Sequence, residues 1–119
     1  MKKSFKKKIQ KLIVSKVSES EMKYVNALIK ILEKRKIRAK AITNRQIQGL
    51  LEEKFNLIFH EASVRRYINY IRVTHLLENL ISCSHGYYLA QTPEEVSEYV
   101  RSLQHRAFAI WSVIESYDI

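Results

Sequence analysis

Residues 61–92, EASVRRYINYIRVTHLLENLISCSHGYYLAQT, constrain the fold of this chain more than any other stretch. An amphipathic run with paired arginines passes within a few residues into two short β-prone segments separated by Ser84-His85-Gly86. On a helical wheel advancing about 100° per residue, Val64, Ile68, Ile71 and His75 fall within about 60° of one another. Glu61 to Leu76 therefore reads as a helix with those four residues facing the core and Tyr67 flanking them. The opposite side carries Ala62, Arg66, Asn69 and Val73, flanked by Ser63, Arg65 and Tyr70. Small residues near its N-terminal end allow close approach, and the longer donors beyond supply reach. Leu80–Cys83 and Gly86–Ala90 read as a hairpin, with Gly86 supplying the positive φ of a tight connection. Tyr87 and Tyr88 must point to opposite faces of their strand, and the register decides which one enters the core.

Composition matters here chiefly through its asymmetry. The chain has 119 residues and a formal net charge of +9. Residues 1–75 hold 19 Lys and Arg against 6 Asp and Glu, or +13, whereas residues 76–119 hold 2 against 6, or −4. Such a chain presents one face to a polyanion, nucleic acid being the expected one and an anionic membrane surface its competitor. With 46% hydrophobic residues, two glycines and one proline, the chain is expected to be ordered and helix-rich. No apolar run approaches the roughly 20 residues of a membrane span. The apolar stretch Ile9–Val14 is broken by Gln10 and Lys11 and is followed by no small-residue cleavage site, so no signal peptide is expected. Cys83 is the single cysteine and fits a reducing compartment, which makes the cytoplasm the expected location.

Residues 1–17 read as a basic arm without a single acid. Phe5, Ile9, Leu12 and Ile13 recur at helical spacing, so part of it is expected to become helical on binding. Lys6, Lys7 and Lys8 are its candidate phosphate contacts, the alternative being a solvated tail. Ser18 and Glu21 form a capping box that places a helix start near Glu19, and Met22, Val25, Leu28, Ile29 and Leu32 form its apolar stripe. The run KRKIRAK, 34–40, is expected to close that helix and offset its dipole, while also being able to reach a phosphate backbone. Thr43 reads as the N-cap of NRQIQGLLEEKF, with Ile47, Leu50, Leu51 and Phe55 inward. Gly49 is expected to admit a neighbouring helix closely, unless it is merely a surface glycine. In the connection 56–60, Leu57, Ile58 or Phe59 is expected to dip into the core.

Thr92-Pro93-Glu94-Glu95 starts a last helix with a cap, a proline at the first helical position and a capping-box acid. Val96, Val100, Leu103, Ala107, Ile110, Ile114 and Tyr117 then recur at 4-3 spacing, a heptad seam. A helix of about 26 residues would extend about 39 Å, longer than a domain of this size needs. Val100, Leu103, Ala107, Ile110, Trp111 and Ile114 are therefore the candidate residues of a symmetric dimer, the alternative being a fold back over the first helix of the same chain.

Helix, helix, helix, hairpin is the order of a winged helix-turn-helix, mainly α with a small β-hairpin and here a long C-terminal helix. The expected division is a basic arm 1–17, a winged-helix DNA-binding domain 18–92 and a C-terminal helix 93–119. Arg65 and Arg66 suit phosphates or guanine O6/N7, Asn69 suits adenine N6/N7, and Tyr70 suits a phosphate or a thymine methyl. Thr43, Arg45 and Ser63 stand near helix starts, where backbone N–H groups favour phosphate. His85 at the hairpin tip is a candidate minor-groove or phosphate contact, or a plain turn residue. His60, His75, His85 and His105 lack the paired spacing of a zinc site, and neither a phosphate-cradling loop nor a catalytic constellation is recognisable. The expectation is a protein without metal, cofactor or enzymatic activity.

TNRQIQGLL, EASVRRYINYIR and LISCSHGYYLAQTPEEVSEYVRSLQHRA together resemble the first helix, recognition helix, wing and trailing helix of a winged-helix DNA-binding family common in bacteriophages and prophages. The resemblance covers residues 43 to about 110 and is carried most by GYYLA, the capped TPEE and Arg106-Ala107. It implies double-stranded DNA binding in transcriptional regulation or phage genome replication, with Ser63, Arg65, Arg66, Asn69 and Tyr70 facing the DNA. The chain departs from the family in its long connection NLIFHE and its lysine arm. A reading of another class is a phage structural, assembly or protein-interaction module that docks a partner through the C-terminal helix.

Overall fold

A computed structural model describes residues 3–117; Met1, Lys2, Asp118 and Ile119 lie outside it, as do the side chains of Lys3, Ser4 and Phe5. The helices are α1 (Lys3–Ser15), α2 (Met22–Leu32), α3 (Asn44–Phe55), α4 (Glu61–Val73) and α5 (Pro93–Ser116), with strands β1 (Leu80–Cys83) and β2 (Gly86–Leu89) between the last two helices. The protein is mainly helical with one small antiparallel sheet.

The core forms where the apolar stripes of α2, α3 and α4 meet. Val25, Leu28 and Leu32 from α2, Ile47 and Leu51 from α3, and Val64, Ile68 and Ile71 from α4 are almost fully enclosed. Burying such side chains stabilises by roughly 1.5–3 kcal/mol each. Tyr24, Phe59 and Tyr67 stack edge to face beside this core, with Tyr24 and Phe59 centroids 4.7 Å apart. In the connection between α3 and α4, Leu57 and Phe59 pack against the core while Ile58 is exposed.

Several local expectations shift by a turn, each for a backbone reason. Glu19–Glu21 forms a single 3-10 turn, and α2 proper begins at Met22. The run 34–40 lies beyond the end of α2, where the Leu89 N–H donates to Arg35 O at 2.6 Å and ties the run to β2. α4 stops at Val73 rather than Leu76. His75 adopts φ +57°, the Leu76 N–H donates to Ile71 O at 3.2 Å and the His75 N–H to Arg72 O at 3.4 Å. This is a Schellman ending, and it turns His75 out to solvent instead of into the core. α3 ends similarly at Asn56, φ +53°. Gly49 is exposed and a Cβ there would meet nothing within 4 Å, so no helix crosses closely above it.

The hairpin pairs Leu80 with Leu89 and Cys83 with Gly86. This register sends Tyr88 into a second small core with Ile81 and Ala90 and leaves Tyr87 half-buried on the other face. Ile42, just before α3, exchanges two backbone hydrogen bonds with Tyr87, of 2.9 and 2.8 Å, so an extended residue lies beside β2. α5 rests its root on this sheet through Val96 and Tyr99. The Thr92 hydroxyl caps it, and the Tyr88 hydroxyl donates to Glu95 Oε2 at 2.8 Å. Arg72 reaches across from α4, donating to the Tyr99 hydroxyl at 2.9 Å and to Leu80 O at 3.4 Å, with Tyr87 and Tyr99 rings 5.7 and 5.5 Å from its guanidinium. Arg72→Ala is expected to destabilise the fold by about 2 kcal/mol, read by chemical denaturation, because it removes a charge-assisted bond and two ring contacts together.

Beyond Ser102, which still borders the hairpin, every residue of α5 is exposed. The expected alternative of a fold back over the first helix does not occur. α1 departs further from expectation. It is a helix in the single chain, lying beside α4, and Val17 just after it enters the main core. α1 is thus docked along α4, with Val17 as its anchor in the core. Among the described residues no helix is long and apolar enough to cross a membrane.

Candidate nucleic-acid interface

α4 turns one side to the core through Val64, Tyr67, Ile68 and Ile71. Its other side faces α1 across a cleft of about 310 Å³ lined by Ile13, Lys16, Ala62, Arg65, Arg66 and Asn69. Four of these six lining residues were expected on the outer face of the helix. Lys16 and Ile13 were not, because their nearness depends on how α1 folds back.

The arginines of the cleft are in different situations. Arg65 is well exposed and pairs with Glu61 one turn earlier at 2.8 Å. Such an exposed i,i+4 pair is worth only about 0.3–0.5 kcal/mol, so Arg65 is readily redirected to another anion. Arg66 is held. Its Nη2 donates to Glu21 Oε2 at 2.8 Å, its guanidinium lies 5.1 Å from the Tyr67 ring, and the Tyr67 hydroxyl donates to the same Glu21 oxygen at 2.6 Å. The Glu21 carboxylate also accepts from the Ser18 N–H at 3.1 Å. These bonds, led by that from Tyr67, hold the Glu21 carboxyl below the usual carboxylate range. Burial, reinforced by the bond to Glu21, pushes the Tyr67 hydroxyl up to about 12. Glu21, expected only as a capping residue, is thus also the anchor of Arg66.

The remaining candidates are dispersed. Asn69 is exposed in the cleft, while Tyr70 is half-buried and packs against the core. Ser63 is half-buried in the first turn of α4. The Thr43 hydroxyl accepts from the Gln46 N–H at 3.1 Å and caps α3, with Arg45 exposed beside it. His85 is exposed at the hairpin tip. Lys6, Lys7 and Lys8 are exposed on α1, a helix without acids. Among the described residues no lysine takes part in an ion pair. A second shallow basic cleft, lined by Lys30, Lys34, Arg35 and Lys54, lies between α2 and α3. Val100, Leu103, Ala107, Ile110, Trp111 and Ile114 all stand exposed on α5.

The cleft can attract anions and offer hydrogen-bond donors. Among the described residues no three His, Cys, Asp or Glu side chains gather as a metal ion would require. No protein-family model matches the chain, and no match was found among curated proteins or solved structures.

Proposed function

We propose that this is a non-enzymatic double-stranded DNA-binding protein of winged helix-turn-helix architecture, sequence-specific or semi-specific, acting as a transcriptional regulator or a replication accessory. The observation that carries the reading is the donor-lined cleft of α4, bordered by the acid-free, lysine-rich α1. The chain order supports the architecture: helix, a bridging residue at Ile42, two helices, then a hairpin whose second strand pairs with Ile42. The phage and prophage proteins that the sequence resembles use this plan in regulation and genome replication.

The position of α1 shapes the expected mode of binding. A major groove about 12 Å wide admits one helix of 10–12 Å diameter, and not two side by side. With α1 beside it, α4 meets the groove at one edge and α1 lies over the bordering phosphates. Arg65 and Asn69 then act as the base-reaching donors, Arg66 stays on Glu21, and His85 touches backbone from the hairpin tip. Phosphate contacts dominate affinity in this arrangement.

Duplex binding followed by fluorescence anisotropy over a salt series tests this. Affinity is expected to fall steeply with salt, by roughly 0.9 in log–log slope per phosphate contact. Lys6, Lys7 and Lys8 fan over about 200° of helix, so replacing all three with Ala should lower the slope by about one to two, not three. Arg65→Ala with Asn69→Ala should mainly reduce discrimination between duplex sequences. Absence of duplex binding at low salt overturns the reading. It would favour the second one, a structural or assembly module docking through α5, which the exposed apolar side chains of that helix support.

A further inference from the structure

We infer that α5 pairs antiparallel with α5 of a second copy of this chain, along the seam from Val100 to Tyr117. The pairing stands on the helix alone; its consequence for DNA rests on the function proposed above. Glu95, Tyr99 and Ser102, which face the hairpin, lie on one side of α5. The seam residues Val100, Leu103, Ala107, Ile110 and Ile114 are centred about 90° around the helix from that side. The domain therefore takes up Val96, the first seam residue, with the root of α5 and leaves the seam open from Val100 onward.

The open surface is large. Val100, Leu103, Ile110, Trp111, Ile114 and Tyr117 are each 40 to 67% exposed. Together they present on the order of 700 Å² of surface, close to the area one partner contributes to a standard stable interface and more than a monomer usually leaves open. No charged residue occupies the seam between Val100 and Tyr117. The Trp111 indole N–H is satisfied by Glu115 Oε1 at 2.7 Å, so the ring can be covered without stranding a donor. The 4-3 spacing makes this surface complementary to another helix of the same spacing, which a second copy provides.

Orientation follows from size and charge. In the antiparallel register Val100 meets Tyr117 of the partner, Leu103 meets Ile114, and Ala107 meets Ile110, so every seam residue is used and each small residue faces a large one. A parallel register would stack Ala107 on Ala107 and leave a gap in mid-seam. It would also align the two helix dipoles and bring two strongly basic domains to the same end. Antiparallel pairing separates the two Val96 positions, where each domain is attached, by about 37 Å along the helix axis. That is close to the 34–36 Å between half-sites one duplex turn apart.

The test uses the full chain with Cys83→Ser. Light scattering at high micromolar concentration should give twice the chain mass, and Leu103→Glu with Ile110→Glu should give the single mass. Both side chains are exposed in the single chain, so the circular dichroism of the domain should remain unchanged. For register, Leu103→Cys with Ile114→Cys in one chain should oxidise to a covalent dimer, whereas Leu103→Cys alone should not. A monomeric parent protein overturns the pairing, and cross-linking through Leu103→Cys alone overturns its antiparallel sense. Loss of duplex binding by an intact dimer would sink the DNA reading and leave the pairing standing.

Discussion

Gly86→Ala is expected to cost about 3 kcal/mol or more and to lower the melting temperature by on the order of 10 °C. Two effects add at this position. The residue holds φ +117°, which an L side chain rarely adopts, and a Cβ there would come within 2.2 Å of Ile42 O and 2.6 Å of Thr43 N. Both neighbours are backbone atoms, so no rotamer change relieves the clash. Retreat would break the two Ile42–Tyr87 hydrogen bonds and shift Thr43, whose hydroxyl caps α3. The damage would therefore spread from the hairpin to the helix preceding α4. Gly49→Ala is the matching control. With open space around it on an exposed helical face, Ala should stabilise by up to about 1 kcal/mol. Thermal melts of the two variants should move in opposite directions; a Gly86→Ala protein melting like the parent would refute the close approach.

Glu21→Ala is expected to destabilise the protein by about 2 kcal/mol in denaturant titration near neutral pH. The loss comes less from the ion pair with Arg66, which is partly exposed, than from leaving the Tyr67 hydroxyl without its acceptor. The pH dependence follows from the directions of the shifts. The Glu21 carboxyl is lower in the folded chain than in the unfolded one, so its contribution is present above the usual carboxylate range. It is lost as pH falls through that range and below it. The Tyr67 hydroxyl is raised, so its contribution is complete below about 10 and disappears as pH rises towards about 12. Glu21→Gln should flatten the acid limb. An acid limb unchanged in Glu21→Gln would show that the carboxylate does not hold these groups. The same variant frees Arg66, so Glu21→Gln is also expected to bind duplex DNA more tightly at low salt.

How much was readable in the sequence depended on range. The caps at Thr43 and Thr92, the turn at Gly86 and the inward stripes of α2 and α3 were recognisable because each rests on residues a few positions apart. The stripe of α4 was read one residue too far, because nothing in THLL distinguishes a continuing helix from one that stops with His75 at positive φ. For the cleft, the outward position of Arg65, Arg66 and Asn69 was recognisable from the helical period. The capture of Arg66 was not, since Glu21 stands 45 residues away and already had a local reason to be there as a capping acid. Arg72 escaped notice likewise: its partners Tyr87 and Tyr99 come from β2 and α5.

The sequence by itself determined the faces of the helices, the boundary at Thr92, the tight hairpin and the excess of positive charge in the first 75 residues. Periodicity and local hydrogen bonding act within a turn or two of chain and need no knowledge of the rest. Only the tertiary structure decided that α1 lies against α4, that Tyr88 rather than Tyr87 enters the second core, and that α5 leaves the domain beyond its root. Each of those choices depends on which surfaces meet across tens of residues, where burial of apolar area and pairing of polar groups are settled by the whole fold at once.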